Sequence, residues 1–147
     1  MDRERYMDIA LALAREAAQA GEVPVGCVIV RDGEVIAKGR NRREASHDAT
    51  AHAELEAIRA ACSAVGDWRL CDCSIYVTLE PCPMCTGAII NSRIGTVVFG
   101  ARDENTGSCG SVIDLFSERY GHKPRVYGSV RDGECARLLR EFFEGKR

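Results

Sequence analysis

Two short clusters constrain this chain more than anything else in it. One is Asp48-Ala-Thr-Ala-His52-Ala-Glu54, and the other is Glu80-Pro81-Cys82-Pro83-Met84-Cys85. Together they offer one imidazole, one carboxylate and two thiols at fixed local spacings. The C-x-x-C spacing lets two thiolates meet one ion, and His52 supplies a third ligand of the type zinc prefers. Three protein ligands leave a fourth position open to water, as in catalytic rather than structural zinc sites. His47, Cys71 and Cys73 are possible fourth ligands of a closed structural site, but none stands in a paired spacing with the other three.

Local signals around the clusters agree with a metal site. Pro83 suits the first position of a helix, where its missing N–H costs nothing. A helix starting there sets both sulfurs near the positive end of its dipole, which favours thiolate. A thioredoxin-type redox pair is the other reading of this C-x-x-C, and such a pair needs no His52-Ala53-Glu54 partner. Glu54 is two residues after His52, a spacing that sends side chains to different sides of a regular helix. Both can face one pocket only if His52 sits at the extreme start of its helix. Glu54 then reads as a general acid and base for a water activated by the metal, or as a first-turn carboxylate stabilising the helix dipole. A zinc ion with two thiolates and a neutral histidine has no net charge, which suits attack on a neutral heteroaromatic ring.

The 147 residues form one predicted domain, 1–147, of ordinary size for a single core. An apolar fraction of 46% and a charged fraction of 29% are those of a soluble globular chain. The charged start runs into an amphipathic helix and no apolar run approaches a membrane span, so the expected location is the cytoplasm. The eight cysteines are then expected to be reduced. Cys27, Cys62 and Cys135 read as small core residues, Cys71 and Cys73 as strand packing, and Cys109 as an exposed loop cysteine. A net charge of −2 argues against a broad nucleic-acid-binding face. It leaves room for small basic clusters at Arg40, Arg42 and Arg43 and at Arg119, His122, Lys123 and Arg125.

Periodicity predicts a helix from Asp2 to Ala20, a buried strand from Val23 to Val30, and a hairpin at Asp32-Gly33 into a strand from Val35 to Gly39. A polar loop leads to a helix from His52 to Ala64, closed by Gly66. Strands follow at Ser74 to Leu79 and Ile94 to Gly100, with the cysteine helix between them. A short strand or turn at Val126, Tyr127 and Val130 precedes a closing amphipathic helix carrying Leu138, Leu139, Phe142 and Phe143. Strands alternating with helices after a hairpin imply an α/β fold, a three-layer α-β-α sandwich with a mixed five-stranded sheet. The metal site is expected at the carboxyl ends of its strands.

The pairing of H-x-E with P-C-x-x-C is the signature of the zinc deaminases. The chain resembles the cytidine deaminase-like superfamily, and within it the bacterial tRNA-specific adenosine deaminases that make inosine at the anticodon wobble position. The stretches that carry the likeness are Glu22-Val-Pro-Val-Gly26, Gly39-Arg-Asn41, His47 to Glu54, Tyr76 to Cys85, Val97-Val-Phe-Gly-Ala-Arg-Asp103 with Thr106-Gly107, and the late Glu134-Cys135. The metal motifs mark only the superfamily; Phe99 to Gly107 and the C-terminal region point to the tRNA branch. The resemblance implies that His52, Cys82 and Cys85 hold one Zn2+ per subunit and that Glu54 shuttles protons. It further implies that Asn41, Ala53, Asp103 and His122 contact the substrate, a tRNA anticodon stem-loop, and that the enzyme is a homodimer.

Three positions depart from the pattern. Asn105 stands where many members have lysine, Gly121 where an asparagine is usual, and Ala49 where proline is frequent. The acidic pI and the lost lysine favour a second reading, deamination of a free base or nucleoside such as guanine or cytosine. A third is a non-catalytic structural zinc module.

Overall fold

The computed structural model describes residues 2–146. Helix α1 (Asp2–Gln19) leads into strands β1 (Gly26–Arg31) and β2 (Glu34–Arg40), then helix α2 (Ala53–Val65). Strand β3 (Cys73–Leu79), helix α3 (Pro83–Ser92), strand β4 (Thr96–Ala101), strand β5 (Arg125–Tyr127) and helix α4 (Asp132–Glu144) complete the fold. The sheet order is β2-β1-β3-β4-β5. Strand β1 runs antiparallel to both neighbours, and β3, β4 and β5 are parallel. This is the mixed five-stranded sheet that the strand and helix alternation predicts.

Alternation along each strand sorts the apolar residues into two cores, because successive side chains point to opposite faces. Cys27, Ile29, Ile75, Val77, Val97 and Phe99 face α2 and α3. Val28, Val30, Tyr76 and Val98 face Met7, Ala10 and Leu11 of α1 and Cys135 of α4. Helices therefore cover both faces, giving three layers.

Local signals account for the turns. Asp32 and Gly33 both have positive φ, the geometry of a two-residue hairpin turn. Gly66 caps α2 in the left-handed region and donates its N–H to the Cys62 carbonyl, as a C-terminal glycine should. The first strand starts later than its apolar run suggests, at Gly26 rather than Val23, because Val25 donates to the Val23 carbonyl in a tight local turn.

Close contact between β2 and α2 fixes the base of the site. A side-chain carbon added at Gly39 would overlap the Ala53 carbonyl oxygen and sit 2.7 Å from the Ala57 nitrogen. Only glycine lets the first turn of α2 lie directly on the strand.

Two cysteine expectations need correcting. Cys109 is buried rather than exposed, because its loop folds back over α3 and sets its sulfur 3.6 Å from the Thr86 hydroxyl. Cys71 is exposed in the turn before β3, while Cys73 is buried at the strand's start, so the two do not share a packed face. Among the described residues no helix is long and apolar enough to cross a membrane.

Candidate active site

The site lies where the carboxyl end of β3 meets the starts of α2 and α3. His52 is the N-cap of α2, with φ −78° and ψ 153°, so its backbone is still extended. That single non-helical residue turns its imidazole to the same side as Glu54. Cys82 is the N-cap of α3, also extended, and Pro83 takes the first helical position. Cys85 then falls within the first turn.

The ligand atoms converge. His52 Nδ1 is 3.7 Å from Cys82 Sγ and 3.5 Å from Cys85 Sγ. All three atoms lie within 4.8 Å of one another. Ordinary zinc–sulfur and zinc–nitrogen lengths in a tetrahedron separate such ligands by roughly 3.5 Å, so the spacing and the donor set both fit zinc. Among the described residues, no other His, Cys, Asp or Glu joins this group. His47, Cys71 and Cys73 are thus absent from it.

Electrostatics divide the protons unequally. Cys82 is drawn down to about 4, first by the hydrogen bond from Cys85 and then by His52. Cys85 is pushed far up by that same bond and by burial. His52 is raised, chiefly by its hydrogen bond to Cys82. Zinc binds thiolate, so metal binding here would release the thiol protons.

Glu54 is only 4% exposed, and burial raises its carboxyl to about 7 against the opposing pull of His52. A group titrating there can both take and give a proton at neutral pH.

A cavity of about 150 Å³ opens over these groups, bounded by Val23, Val25, Asn41, Ala53, Leu79 and Asp103. It is smaller than the pockets of roughly 300–1,000 Å³ that take drug-sized ligands, and its scale is that of one small planar group. Asn41 Nδ2 donates to the Val23 carbonyl at 3.2 Å, and Asn41 Oδ1 accepts from the Arg43 N–H at 3.1 Å. One amide N–H and one lone pair are left over. Ala53 opens α2, where backbone N–H groups lack partners within the helix. Asp103 reaches the wall, but its carboxylate is occupied within its own loop: it accepts from the N–H groups of Asn105 and Thr106 and from the Thr106 hydroxyl at 2.8 Å.

His122 is not brought to this cavity. Its Nε2 lies 2.7 Å from the Ile94 carbonyl oxygen, before β4, whereas the cavity sits beyond that strand's other end. His122 is therefore not among the residues that line this cavity.

Sequence reasoning gave no role to two buried carboxylates beside the cavity. Glu22 and Glu80 are each 1% exposed and accept hydrogen bonds from the loops that form the walls. The available signal was position: Glu80 immediately precedes Pro81-Cys82, and Glu22 follows the glycine that ends the first helix.

A three-layer sandwich that gathers a histidine and two cysteines at two helix starts, beside a buried glutamate, has the architecture of a metal-dependent hydrolase. The chain belongs to the cytidine and deoxycytidylate deaminase family, whose zinc-binding region matches residues 1–101. It is 46% identical over 141 residues to the tRNA-specific adenosine deaminase of Bacillus subtilis (strain 168), covering 95% of this chain and 88% of that protein. It is 51% identical over 138 residues to a tRNA(Ile)-lysidine synthase of Deinococcus radiodurans; that match covers 93% of this chain but only 24% of the longer protein. Among solved structures, one described as a tRNA:A34 deaminase of A-to-I editing at the wobble position superimposes with a TM-score of 0.89 at 44% identity. That likeness covers 91% of this chain and 98% of the other.

Proposed function

We propose that this chain is a zinc-dependent hydrolase that deaminates adenosine to inosine at the wobble position of a tRNA anticodon. The observation that carries the chemistry is the buried Glu54 carboxyl beside the His52, Cys82 and Cys85 triangle. The relatives described above carry the choice of substrate.

His52, Cys82 and Cys85 would hold one Zn2+ per subunit. When bound, zinc supplies Lewis-acid activation that makes water nucleophilic near neutral pH. Glu54 removes a proton from the attacking water and delivers it to the ring nitrogen beside the amino-bearing carbon. Glu54 then takes the remaining proton of the hydroxyl added to the ring carbon and passes it to the departing amino group. The carbon–nitrogen bond breaks, ammonia leaves, and oxygen takes its place on the ring.

Asn41 orients the base with its unused amide N–H and lone pair. Ala53 offers a backbone N–H at the start of α2. Asp103 shapes the wall through its loop rather than by a free carboxylate. The narrow cavity requires the adenine to leave its stack, at a cost that a single-stranded anticodon loop keeps small. Residues 1–147 act as one catalytic domain, in a homodimer, in the cytoplasm where tRNA is matured.

The test compares substrates. Purified protein is incubated with an arginine tRNA anticodon stem-loop bearing wobble adenosine and, separately, with guanine, cytosine and adenosine, and ammonia and inosine are measured. Inosine in the stem-loop with little turnover of free bases is the expected result. Turnover of a small base with an untouched stem-loop would assign a free-base deaminase instead, and no turnover of any substrate by zinc-loaded protein would favour a structural module.

A further inference from the structure

We propose that Glu80 and Glu22 are positioning residues, each anchoring one wall of the substrate pocket through backbone N–H groups. This inference rests on the deaminase reading and extends it to how the pocket keeps its shape.

A buried carboxylate is costly unless its oxygens receive hydrogen bonds. Among the described residues neither Glu22 nor Glu80 has a salt-bridge partner. Both are satisfied by loop amides. Glu80 Oε1 accepts from the Asp103 N–H at 3.1 Å and from the Ser111 hydroxyl. Its Oε2 accepts from the N–H groups of Cys109 and Ser111, both at 3.0 Å. One side chain at the end of β3 thus gathers three backbone amides from the segment 103–111. The same loop presses on it: a carbon added at Gly107 would lie 2.5 Å from Glu80 Cδ.

Glu22 does the same on the other side. Its Oε1 accepts from the Glu44 N–H at 2.9 Å and its Oε2 from the Ala45 N–H at 2.8 Å. Those amides belong to the loop that carries Asn41 and Arg43, just as the Glu80 loop carries Asp103 and Thr106. The two carboxylates therefore set the separation of opposite walls without being metal ligands or the proton shuttle.

Glutamine separates this role from bulk packing, because it keeps the shape and turns one acceptor into a donor. At Glu80 the least damaging orientation puts the new NH2 at the Oε1 position. There the Ser111 hydroxyl can rotate to accept, but the Asp103 N–H is left facing a donor. At Glu22 either orientation loses one amide.

The experiment uses full-length, zinc-loaded E80Q, E22Q and S111A with the wobble-adenosine stem-loop. Amide hydrogen exchange is followed alongside kcat, KM, zinc content and thermal unfolding. E80Q should speed exchange at Asp103, Cys109 or Ser111 by roughly 10- to 100-fold while Glu44 and Ala45 stay as in the parent, and E22Q should do the reverse. S111A removes one donor and should give a smaller change in the Glu80 set, so it serves if E80Q does not fold. KM should rise more than kcat falls, with zinc retained, because loosened walls weaken binding before chemistry. Unchanged exchange at the anchored amides, or a fall in kcat at constant KM, overturns the proposal. If the parent enzyme leaves the stem-loop untouched, the substrate reading fails while the exchange measurement still decides the anchoring.

Discussion

His52 Nδ1 stands 3.5 Å from Cys85 Sγ, across 33 positions of sequence, because two helices begin side by side at the carboxyl end of the central strand β3. Everything chemical in the fold depends on that meeting. Each partner sits at or just inside a helix start, where backbone geometry departs from the helix and side chains can be aimed independently of its regular faces.

Replacing Glu54 with Gln keeps the volume and removes the only function assigned to it. Turnover should fall by at least roughly 10²- to 10⁴-fold, the usual range for a lost general acid and base. Zinc content should remain that of the parent, because Glu54 is not one of the three converging ligands. Metal analysis beside single-turnover kinetics checks both halves. An E54Q protein that turned over normally would remove Glu54 from the mechanism.

Much of this site could be read from the chain because its signals are local. His52, Glu54, Cys82 and Cys85 announce themselves by type and spacing, and Pro83 fixes where the second helix starts. The alternation of Ile75, Tyr76 and Val77 likewise announces a strand covered on both faces. What escaped was set by distant contacts. Glu80 matters through Cys109 and Ser111, which have no local relation to it, and nothing near Cys109 signals that its loop turns inward. The place of His122 was hidden for the same reason: its ring lies against a carbonyl before β4, beside the parallel pairing of β4 and β5.

Removing the metal should abolish activity and lower the unfolding temperature, because zinc binds the folded arrangement far better than the unfolded chain. Cys85→Ser should behave as the stripped enzyme does, with poor zinc retention, since a hydroxyl is a weak substitute for thiolate. Calorimetry with and without chelator, followed by zinc add-back, measures the effect. Recovery of activity on add-back is expected for the parent and not for C85S. Full activity in thoroughly stripped protein would exclude a zinc-dependent reaction.

The metal-free chain should show a pH signature from Glu54. Its folded carboxyl titrates at about 7, above the ordinary 4.5, so the folded state holds the proton more tightly than the unfolded state. The stability contributed by that proton is complete below about 4.5 and is lost as the pH rises through about 7. The loss is on the order of 3 kcal/mol across the window. Cys82 and His52 also titrate in the stripped protein, so the quantity to follow is the stability difference between parent and E54Q. That difference should move against the parent as pH rises from 4.5 to 7. Denaturant unfolding at a series of pH values provides the curve, and a flat difference would mean that Glu54 is not held near neutrality by burial.

Gly39 tests whether the fold positions the metal through backbone contact alone. It touches neither the ligands nor the cavity, yet an added methyl would overlap the Ala53 carbonyl and crowd the Ala57 nitrogen at 2.7 Å. Backbone cannot rotate away as a side chain can, so α2 must lift from β2. Gly39→Ala should therefore destabilise the protein by about 1–3 kcal/mol, the range for overpacking. Because His52 caps that same helix, the lift also moves its Nδ1 relative to the two sulfurs. Zinc affinity should fall in G39A along with stability, measured by competition with a chromogenic chelator under conditions where the variant remains folded. A variant that is destabilised but binds zinc like the parent would show that the helix start is held by its own loop instead of by the strand beneath it.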